Sequence, residues 1–274
     1  MLVAANCPDP PLFWRARVAR KRANILNRRI QYCRGDERRT ELYHELVDMA
    51  RDTSERLEFA LTAVPFSIEC IGWKADIDLY RPLFAQVINQ CERRVFQKEK
   101  VPASEKIVSI FEPHTDIIIK GSRGTEYGHK ISLATGRSGL LLDISIEKGN
   151  PADSDRLMPM IERHKQHYGK APHQVAADGG YASRKGLNEA KAAGVDDMVF
   201  HKKCGLQVEE MAKNKRVYRS LRNFRAGVEA NISCLKRVFG FNRCTWRGLE
   251  HFHAYVWSAA IAYNLRALAR IALG

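Results

Sequence analysis

The sequence predicts an α/β protein in which a mixed sheet flanked by helices follows an N-terminal helical segment. Two observations predict this class. Residues 1–104 contain long stretches with apolar residues at helical spacing, whereas short apolar runs bounded by turn residues alternate with helical patterns from Lys106 onward. We therefore expect two parts, a basic helical segment over residues 1–104 and an α/β domain over residues 105–274.

The charge balance narrows the possible partners and compartments. The 274 residues include 45 Lys and Arg against 31 Asp and Glu, a net charge of +14. Such a charge favours a polyanionic partner, nucleic acid first and an anionic membrane surface second. No apolar run approaches the roughly 18 residues that span a bilayer, and the N-terminus lacks a signal-peptide pattern. We therefore expect a cytoplasmic protein that is not inserted in a membrane.

The N-terminal segment is expected to consist of helices. Residues 15–39 carry ten Arg or Lys with apolar residues between them, a pattern typical of a basic amphipathic helix or a partly ordered arm. The basic residues of this stretch either contact DNA phosphates or form an ordinary solvated helix face, and the sequence favours neither interpretation. Residues 41–63 and 76–99 are predicted to form two further helices, which would pack as a helical hairpin. Pro82 would lie near the first turn of the second helix, where proline is tolerated.

The domain from residue 105 onward is predicted to alternate strands and helices. The predicted strands are residues 107–111, 117–119, 127–134, 140–146, 174–177 and 197–201. The predicted helices are residues 153–168, 184–193 and 249–272, together with a helix that includes 222–236. Residues 127–134 and 140–146 should pair as a hairpin, Asp153 or Ser154 should cap the first of these helices, and Ser183 should cap the second. The order βββαβαβ is the layout of a ribonuclease-H-like fold.

The stretch from Arg222 to Lys236 contains a charged trio on the border of an apolar stripe. On a helix, Arg225, Glu229 and Lys236 fall within about 40° of one another. A solvated charged face normally lies opposite the apolar stripe. We therefore expect the Glu229 carboxylate to be half drawn into the core and held between two cations. The alternative is an ordinary surface pair of Arg225 and Glu229, four residues apart on a helix.

Two further carboxylates lie at the ends of predicted strands. Asp178 ends a short apolar run and precedes two glycines, at the carboxyl end of a strand, where open α/β sheets place ligand sites. Asp116 lies at the edge of another apolar run, and Glu112 and Glu105 are alternatives to it. Together with Glu229, these side chains would form an oxygen-rich cluster of the kind that suits Mg²⁺ or Mn²⁺.

At these residues the sequence resembles a known family. Arg225-x3-Glu229-x6-Lys236 resembles the signature Y-x2-R-x3-E-x6-K of bacterial insertion-sequence transposases of the DDE type. Arg222 occupies the tyrosine position of that signature. The segment DGGYAS at 178–183 resembles the second-aspartate segment of those enzymes.

Two more segments extend the resemblance, which covers the chain from about residue 106 to the C-terminus. KGNPADS at 148–154 resembles the loop that follows the third strand of these transposases. HTDIIIKGSRGTEYGHK at 114–130 is similar to the less classified insertion-sequence transposases. Family members usually begin with a helix-turn-helix that recognises the ends of the element, and no such module is recognisable before Thr40. We therefore expect an N-terminally truncated copy.

The resemblance implies a catalytic domain that cleaves DNA strands and transfers them in DNA transposition and recombination. It implies that Asp116, Asp178 and Glu229 hold two Mg²⁺ or Mn²⁺ ions. The partner would be double-stranded DNA, both transposon ends and target, with the protein assembled on it as a homodimer in the cytoplasm at the nucleoid. DNA contacts are expected from four basic side chains besides Arg225, and from one aromatic side chain that could stack on an unpaired base. These are Arg222, Lys236, Lys120, Arg123 and Trp246.

Two other functions stay open on the sequence alone. A ribonuclease-H-like nuclease would use the same three acids without strand transfer. A catalytically inactive DNA-binding remnant of a transposase would keep the basic charge and lose metal binding.

Overall fold

The computed structural model describes residues 10–63, 68–119 and 124–273. The chain divides into two compact units, Met1–Pro113 and His114–Gly274. In the described part of the chain, long helices make up most of the first unit, and all of the strands belong to the second. The division between the units lies a few residues after the boundary at 104 that the sequence pattern suggested.

Three helices form most of the first unit: α1 (Pro10–Tyr32), α2 (Asp36–Ala63) and α3 (Ile68–Val95). Leu26 and Ile30 of α1 pack against Leu42 of α2 in a small core. The basic stretch 15–39 is therefore helical, but it is interrupted between Tyr32 and Asp36 and belongs to two helices.

The third helix differs from its prediction. It begins at Ile68 and ends at Val95, so the prediction of 76–99 was shifted toward the C-terminus. Pro82 consequently lies in the interior of α3 and not in its first turn. A proline has no backbone N–H to donate, so α3 lacks one intrahelical hydrogen bond at this point.

The described residues of the second unit contain six strands. They are β1 (Asp116–Ile119), β2 (Thr125–Gly128), β3 (Ile131–Thr135), β4 (Leu141–Ile146), β5 (Gln174–Ala177) and β6 (Asp197–Phe200). They form three two-stranded sheets, with β1–β2 and β3–β4 antiparallel and β5–β6 parallel. The α/β class is confirmed. In the described ranges the strands do not join into the single mixed sheet that the sequence predicted, and the ribonuclease-H-like arrangement stays a prediction.

Two predicted strands are wrong. Residues 107–111 consist of bends and irregular backbone. The side chain of Gln90 on α3 binds both the backbone N–H and the carbonyl of Ile107 at 2.9 Å, in place of a neighbouring strand. Residues 127–134 are two strands and not one. The first of these strands ends at Gly128, whose φ of 151° is a conformation that favours glycine. As a result, β2 pairs with β1, and β3 pairs with β4.

Five α-helices accompany these strands in the described ranges of the second unit: α4 (Asp153–Tyr168), α5 (Arg184–Ala192), α6 (Val208–Met211), α7 (Lys215–Val238) and α8 (Leu249–Ala272). The Ser183 hydroxyl accepts a hydrogen bond from Gly186 N–H at 2.9 Å, which confirms the predicted cap of α5. The predicted cap of α4 was wrong, because Ala152 holds the capping position without a side-chain hydrogen bond, and Asp153 is already in the first turn.

Helix α7 links the two hydrophobic cores of the second unit. Its N-terminal half buries Leu221 in the core around β5, β6, α4 and α5. Its C-terminal half buries Leu235 in the core that β3, β4 and α8 form. Asn264 on α8 ties that helix to the sheet by binding both the N–H and the carbonyl of Leu141. The middle of α7, which carries Arg225 and Glu229, is thus fixed from both ends.

Candidate active site

Asp178 lies where the sequence predicted it, directly after β5 and before a turn of two glycines. Its Oδ1 atom accepts a hydrogen bond from Gly179 N–H at 2.7 Å, which starts a short 3-10 turn. A Cβ atom at Gly179 would lie 2.9 Å from Cβ of Lys202, and one at Gly180 would collide with the carboxylate of Asp153. The close approach of Lys202 therefore requires glycine at 179, whereas a side chain at 180 would displace the Asp153 carboxylate. The turn holds Asp178 at the end of the parallel sheet.

Arg225 joins Asp178 to Glu229. Its Nη2 atom lies 3.1 Å from Oδ2 of Asp178, and its Nη1 atom lies 2.6 Å from Oε1 of Glu229. The Arg225 side chain is 16% exposed, whereas those of Asp178 and Glu229 are 53% and 67% exposed. Two of the three predicted acids, distant in the sequence, thus meet on one half-buried guanidinium and remain open to solvent.

The environment of Glu229 differs from the expectation in two respects. The half-buried member of the charged group is Arg225, and Glu229 itself is largely exposed. Lys236 is also exposed, and the ion pair observed for Glu229 is formed with Arg225. The reason is that Arg225 extends its guanidinium toward Asp178 on the neighbouring sheet, a contact that helical spacing does not reveal.

Asp116 is the first residue of β1, and its carboxylate is held by two donors. The Oδ2 atom lies 3.0 Å from Nδ1 of His129 and accepts a hydrogen bond from Gly149 N–H at 3.0 Å. Nε2 of His129 in turn lies 2.8 Å from Nδ1 of His114. Sequence reasoning did not identify these histidines or Gly149, although all three lie in the segments 114–130 and 148–154 that carry the family resemblance.

The loop between β4 and α4 contacts the surroundings of both aspartates. At one end, Gly149 N–H binds Asp116. At the other, Asp153 packs against Gly180, two residues after Asp178. Lys130 holds this loop with its Nζ atom, which lies 2.5 Å from Oδ1 of Asp153 and donates to the carbonyl oxygen of Pro151 at 2.6 Å.

Several acidic groups lie near the Tyr181 side chain in the turn after Asp178. Burial raises the pKa of the Tyr181 phenol, and the nearby carboxylates Asp153, Glu147 and Asp178 raise it further. The phenol is therefore neutral at physiological pH and can donate a hydrogen bond. Glu147 is itself buried, and Arg156 neutralises its charge with an Nη2 atom 2.6 Å from Oε2.

Carboxylate oxygens are the ligands that Mg²⁺ and Mn²⁺ prefer, so the donor chemistry of Asp116, Asp178 and Glu229 fits these ions. Asp178 and Glu229 both contact Arg225, and both carboxylates are exposed. Two carboxylates that lie close together and are open to solvent are suited to binding a metal ion. Within the described ranges, no group of three or more His, Cys, Asp or Glu side chains is arranged to hold a metal ion. The metal assignment therefore stays a prediction.

Comparison of the sequence with models of known protein families shows which family the chain belongs to. A family model described as Transposase DDE domain matches residues 107–265, more than half of the chain. The chain belongs to this transposase family. The match includes Asp116, Asp178 and Glu229, and all six strands. A search of curated proteins and of solved structures found no match. None of the helices in the described part of the transposase combines the length and hydrophobicity that a membrane-spanning helix needs.

The alternatives to Asp116 lie in a different unit of the transposase. Glu105 and Glu112 both belong to the first compact unit, and Glu105 binds Arg93 with an Oε2–Nη1 distance of 2.7 Å. Asp116 belongs to the second unit, with Asp178 and Glu229. The choice of Asp116 as the first acid stays a prediction.

The expected DNA-contacting residues fall into three groups. Arg222 and Lys236 are exposed on α7, and the Arg222 guanidinium lies 5.8 Å from the centre of the Tyr218 ring. Trp246 is 48% exposed and meets Tyr255 edge-on, with ring centres 5.5 Å apart. Two further candidates, Lys120 and Arg123, lie outside the described residues. The transposase thus presents basic and aromatic groups on α7 and on the loop that follows it.

Proposed function

We propose that this chain is the transposase of a bacterial insertion sequence and that it cleaves and transfers DNA strands with two Mg²⁺ or Mn²⁺ ions. The single observation that carries the proposal is the contact of Arg225 with both Asp178 and Glu229, in a domain that the family match covers. It brings together two acids of the trio that the resemblance implies.

The residues of the chain have separate roles in this proposal. When bound, two divalent ions activate the attacking oxygen and stabilise the leaving oxygen of a phosphodiester. Asp178, at the end of β5, and Glu229, on α7, would hold them together with Asp116. Arg225 keeps its two carboxylates in place and has the planar donor geometry that binds phosphate oxygens in pairs.

The proposed ribonuclease-H-like arrangement is supported by the order of the elements. The β3–β4 hairpin precedes α4, and β5 and β6 are parallel strands connected through α5. An antiparallel hairpin followed by βα units is the layout that this fold requires, and it puts Asp178 at the carboxyl end of a parallel strand.

We further propose double-stranded DNA as the partner, homodimeric assembly on that DNA, and a cytoplasmic, nucleoid-associated location. The net charge of +14 supports the first of these, because a strongly basic protein is attracted to the phosphate backbone. Arg222, Arg225, Lys236 and Trp246 are proposed as contact residues, together with Lys120 and Arg123.

The acid trio is tested by cleavage of DNA that carries the ends of the element. We expect Asp178→Asn and Glu229→Gln each to abolish Mg²⁺- or Mn²⁺-dependent cleavage and to leave the far-UV circular dichroism spectrum unchanged. Asp196→Asn is the control, because Asp196 is also an exposed aspartate next to a strand, directly before the start of β6, and its Oδ2 atom lies 2.6 Å from Nδ1 of His173. It should cleave like the wild type. If either site variant also does so, the active-site assignment is wrong.

The products of the same reaction separate the remaining alternatives. A transposase joins the cleaved end to a target duplex, so strand-transfer products should accumulate with the wild type and Mg²⁺. Cleavage without joining would indicate a ribonuclease-H-like nuclease. DNA binding without cleavage would indicate an inactive remnant of a transposase.

A further inference from the structure

The structure assigns His129 as the residue that positions the Asp116 carboxylate for a divalent metal ion, with His114 as its support. This inference rests on the proposed function, since Asp116 is taken as the first acid of the metal site. It adds a residue that does not touch the metal or the DNA and acts through Asp116.

The hydrogen bonds at Asp116 converge on one oxygen atom. His129 Nδ1 and Gly149 N both lie 3.0 Å from Oδ2. An ionised carboxylate can only accept hydrogen bonds, so both nitrogens donate. Two donors on Oδ2 fix the rotation of the carboxylate. Neither of these two hydrogen bonds involves Oδ1, which is the oxygen we assign to the metal ion. Metal-binding carboxylates are commonly held in this way by a second layer of donors.

The second histidine sets the tautomer of the first. When Nδ1 of His129 donates to Asp116, Nε2 of the same ring is the acceptor of a hydrogen bond, and Nδ1 of His114, 2.8 Å away, is placed to donate it. The rings of the two histidines are nearly parallel, with centres 5.0 Å apart and an interplanar angle of 14°. The chain of bonds therefore runs from His114 through His129 to Asp116, and each donor is oriented by the one before it.

Packing holds the His129 ring in place. Its side chain is only 7% exposed, and the centre of the ring lies 4.7 Å from that of Phe252 on α8. The backbone also fixes its position, because the preceding residue, Gly128, is paired directly opposite Asp116 in the β1–β2 ladder. A buried ring in one orientation is suited to positioning a carboxylate and not to contacting a substrate.

The test compares two substitutions at residue 129. His129→Asn keeps an N–H donor near the position of Nδ1, whereas His129→Leu removes the donor and keeps apolar volume. Mn²⁺ binding to the DNA-free protein is measured by calorimetry. We expect wild-type affinity, within a few-fold, for the asparagine variant and a loss of about ten- to hundredfold for the leucine variant, the usual cost of removing such a donor. The Mn²⁺ concentration for half-maximal cleavage should rise in the same proportion.

A matched control comes from a second His–Asp pair in the same unit. His173 Nδ1 lies 2.6 Å from Oδ2 of Asp196, just before the start of β5, whereas Asp178 follows the end of that strand. His173→Leu should leave Mn²⁺ affinity unchanged. Thermal unfolding without metal shows whether His129→Leu has lost its fold. In that case the asparagine variant is compared with His129→Ala, which also lacks a side-chain donor and has a smaller side chain.

The possible outcomes distinguish this inference from the proposed function. If the leucine variant, or the alanine variant in its place, binds Mn²⁺ as tightly as the wild type, the positioning role is wrong and the acid trio is unaffected. If the asparagine variant is as weak as the leucine variant in a folded protein, the donor at Nδ1 is not what matters, and the inference is also wrong. Cleavage that persists in Asp178→Asn contradicts the proposed function, whatever residue 129 does.

Discussion

At the scale of single residues, Arg225 determines how the two exposed acids are held. Its guanidinium is the half-buried cation between Asp178 and Glu229. Two carboxylates that share a site repel each other unless a cation lies between them. Because both acids are more than half exposed, solvent screens these ion pairs, and each contributes roughly 1 kcal/mol or less to the free energy of unfolding.

This geometry predicts an unusual response of Arg225→Met to metal. We expect the variant to lose about 1 kcal/mol of unfolding free energy without metal and to lose cleavage activity at least about a hundredfold, since a phosphate-binding guanidinium is missing. Mn²⁺ should raise its melting temperature more than that of the wild type, because the ion then replaces the missing cation. Thermal unfolding with and without Mn²⁺ measures this difference. A variant that Mn²⁺ does not stabilise would contradict a shared site for the two carboxylates.

At the scale of elements, α7 is a long helix with one glycine on its exposed surface. Gly227 lies two residues before Glu229, in the interior of the helix, and a Cβ atom there would meet nothing within 4 Å. Glycine in a helix interior costs conformational entropy and is less stable than alanine there. Helix α7, which carries Arg225 and Glu229, could therefore be stabilised by a side chain at position 227.

Gly227→Ala should raise the free energy of unfolding by about 0.5–1 kcal/mol, since alanine is the better helix former and has room for its methyl group. Chemical denaturation of the purified protein measures the change. The reverse substitution at the adjacent residue, Ala226→Gly, is the control and should lower the unfolding free energy by a similar amount. Destabilisation by Gly227→Ala would mean that the backbone at this position is not free to carry a side chain.

At the scale of the whole molecule, both compact units are basic, but most of the net charge of +14 belongs to the second, at +11 against +3 for the first. Exposed basic residues lie on α1 in the first unit, among them Arg17, Arg20 and Lys21. Others lie on α7 in the second unit, including Arg222 and Lys236. Contacts to phosphate supply affinity without sequence information, so this charge accounts for DNA binding in general and not for recognition of particular ends.

We expect the affinity for duplex DNA to fall by orders of magnitude between low and physiological salt, because neutralising each phosphate releases counterions. A plot of log affinity against log salt should have a slope of about −0.9 per neutralised phosphate. Replacing Arg17, Arg20 and Lys21 together by glutamine should make that slope shallower by about 0.9 for each of these side chains that binds a phosphate in the wild type. Fluorescence anisotropy with a labelled duplex measures both slopes. A slope near zero for the wild type would contradict backbone binding.

The sequence by itself was sufficient to identify those features that depend on local pattern. The segment DGGYAS predicted a strand end, a carboxylate and a glycine turn, and Asp178, Gly179 and Gly180 occupy these places. The bounds of β5 and α8 agree with their predictions, because local signals mark them: the short apolar run of β5 stops at Asp178 and its glycine turn, and Gly248 directly precedes the amphipathic pattern of α8. The family also followed from short motifs, since their spacing is visible in the chain itself.

Only the tertiary structure decided which groups meet. Residues 107–111 look like a strand, but the Gln90 side chain satisfies the backbone of Ile107 and leaves no ladder there. His129 and His114 carry no local signal of their own, because their role comes from the pairing of β1 with β2 and from the loop around Gly149. The contact of Arg225 with Asp178 joins a helix to a separate sheet. Such contacts depend on the packing of distant segments, which the pattern within any one segment does not contain.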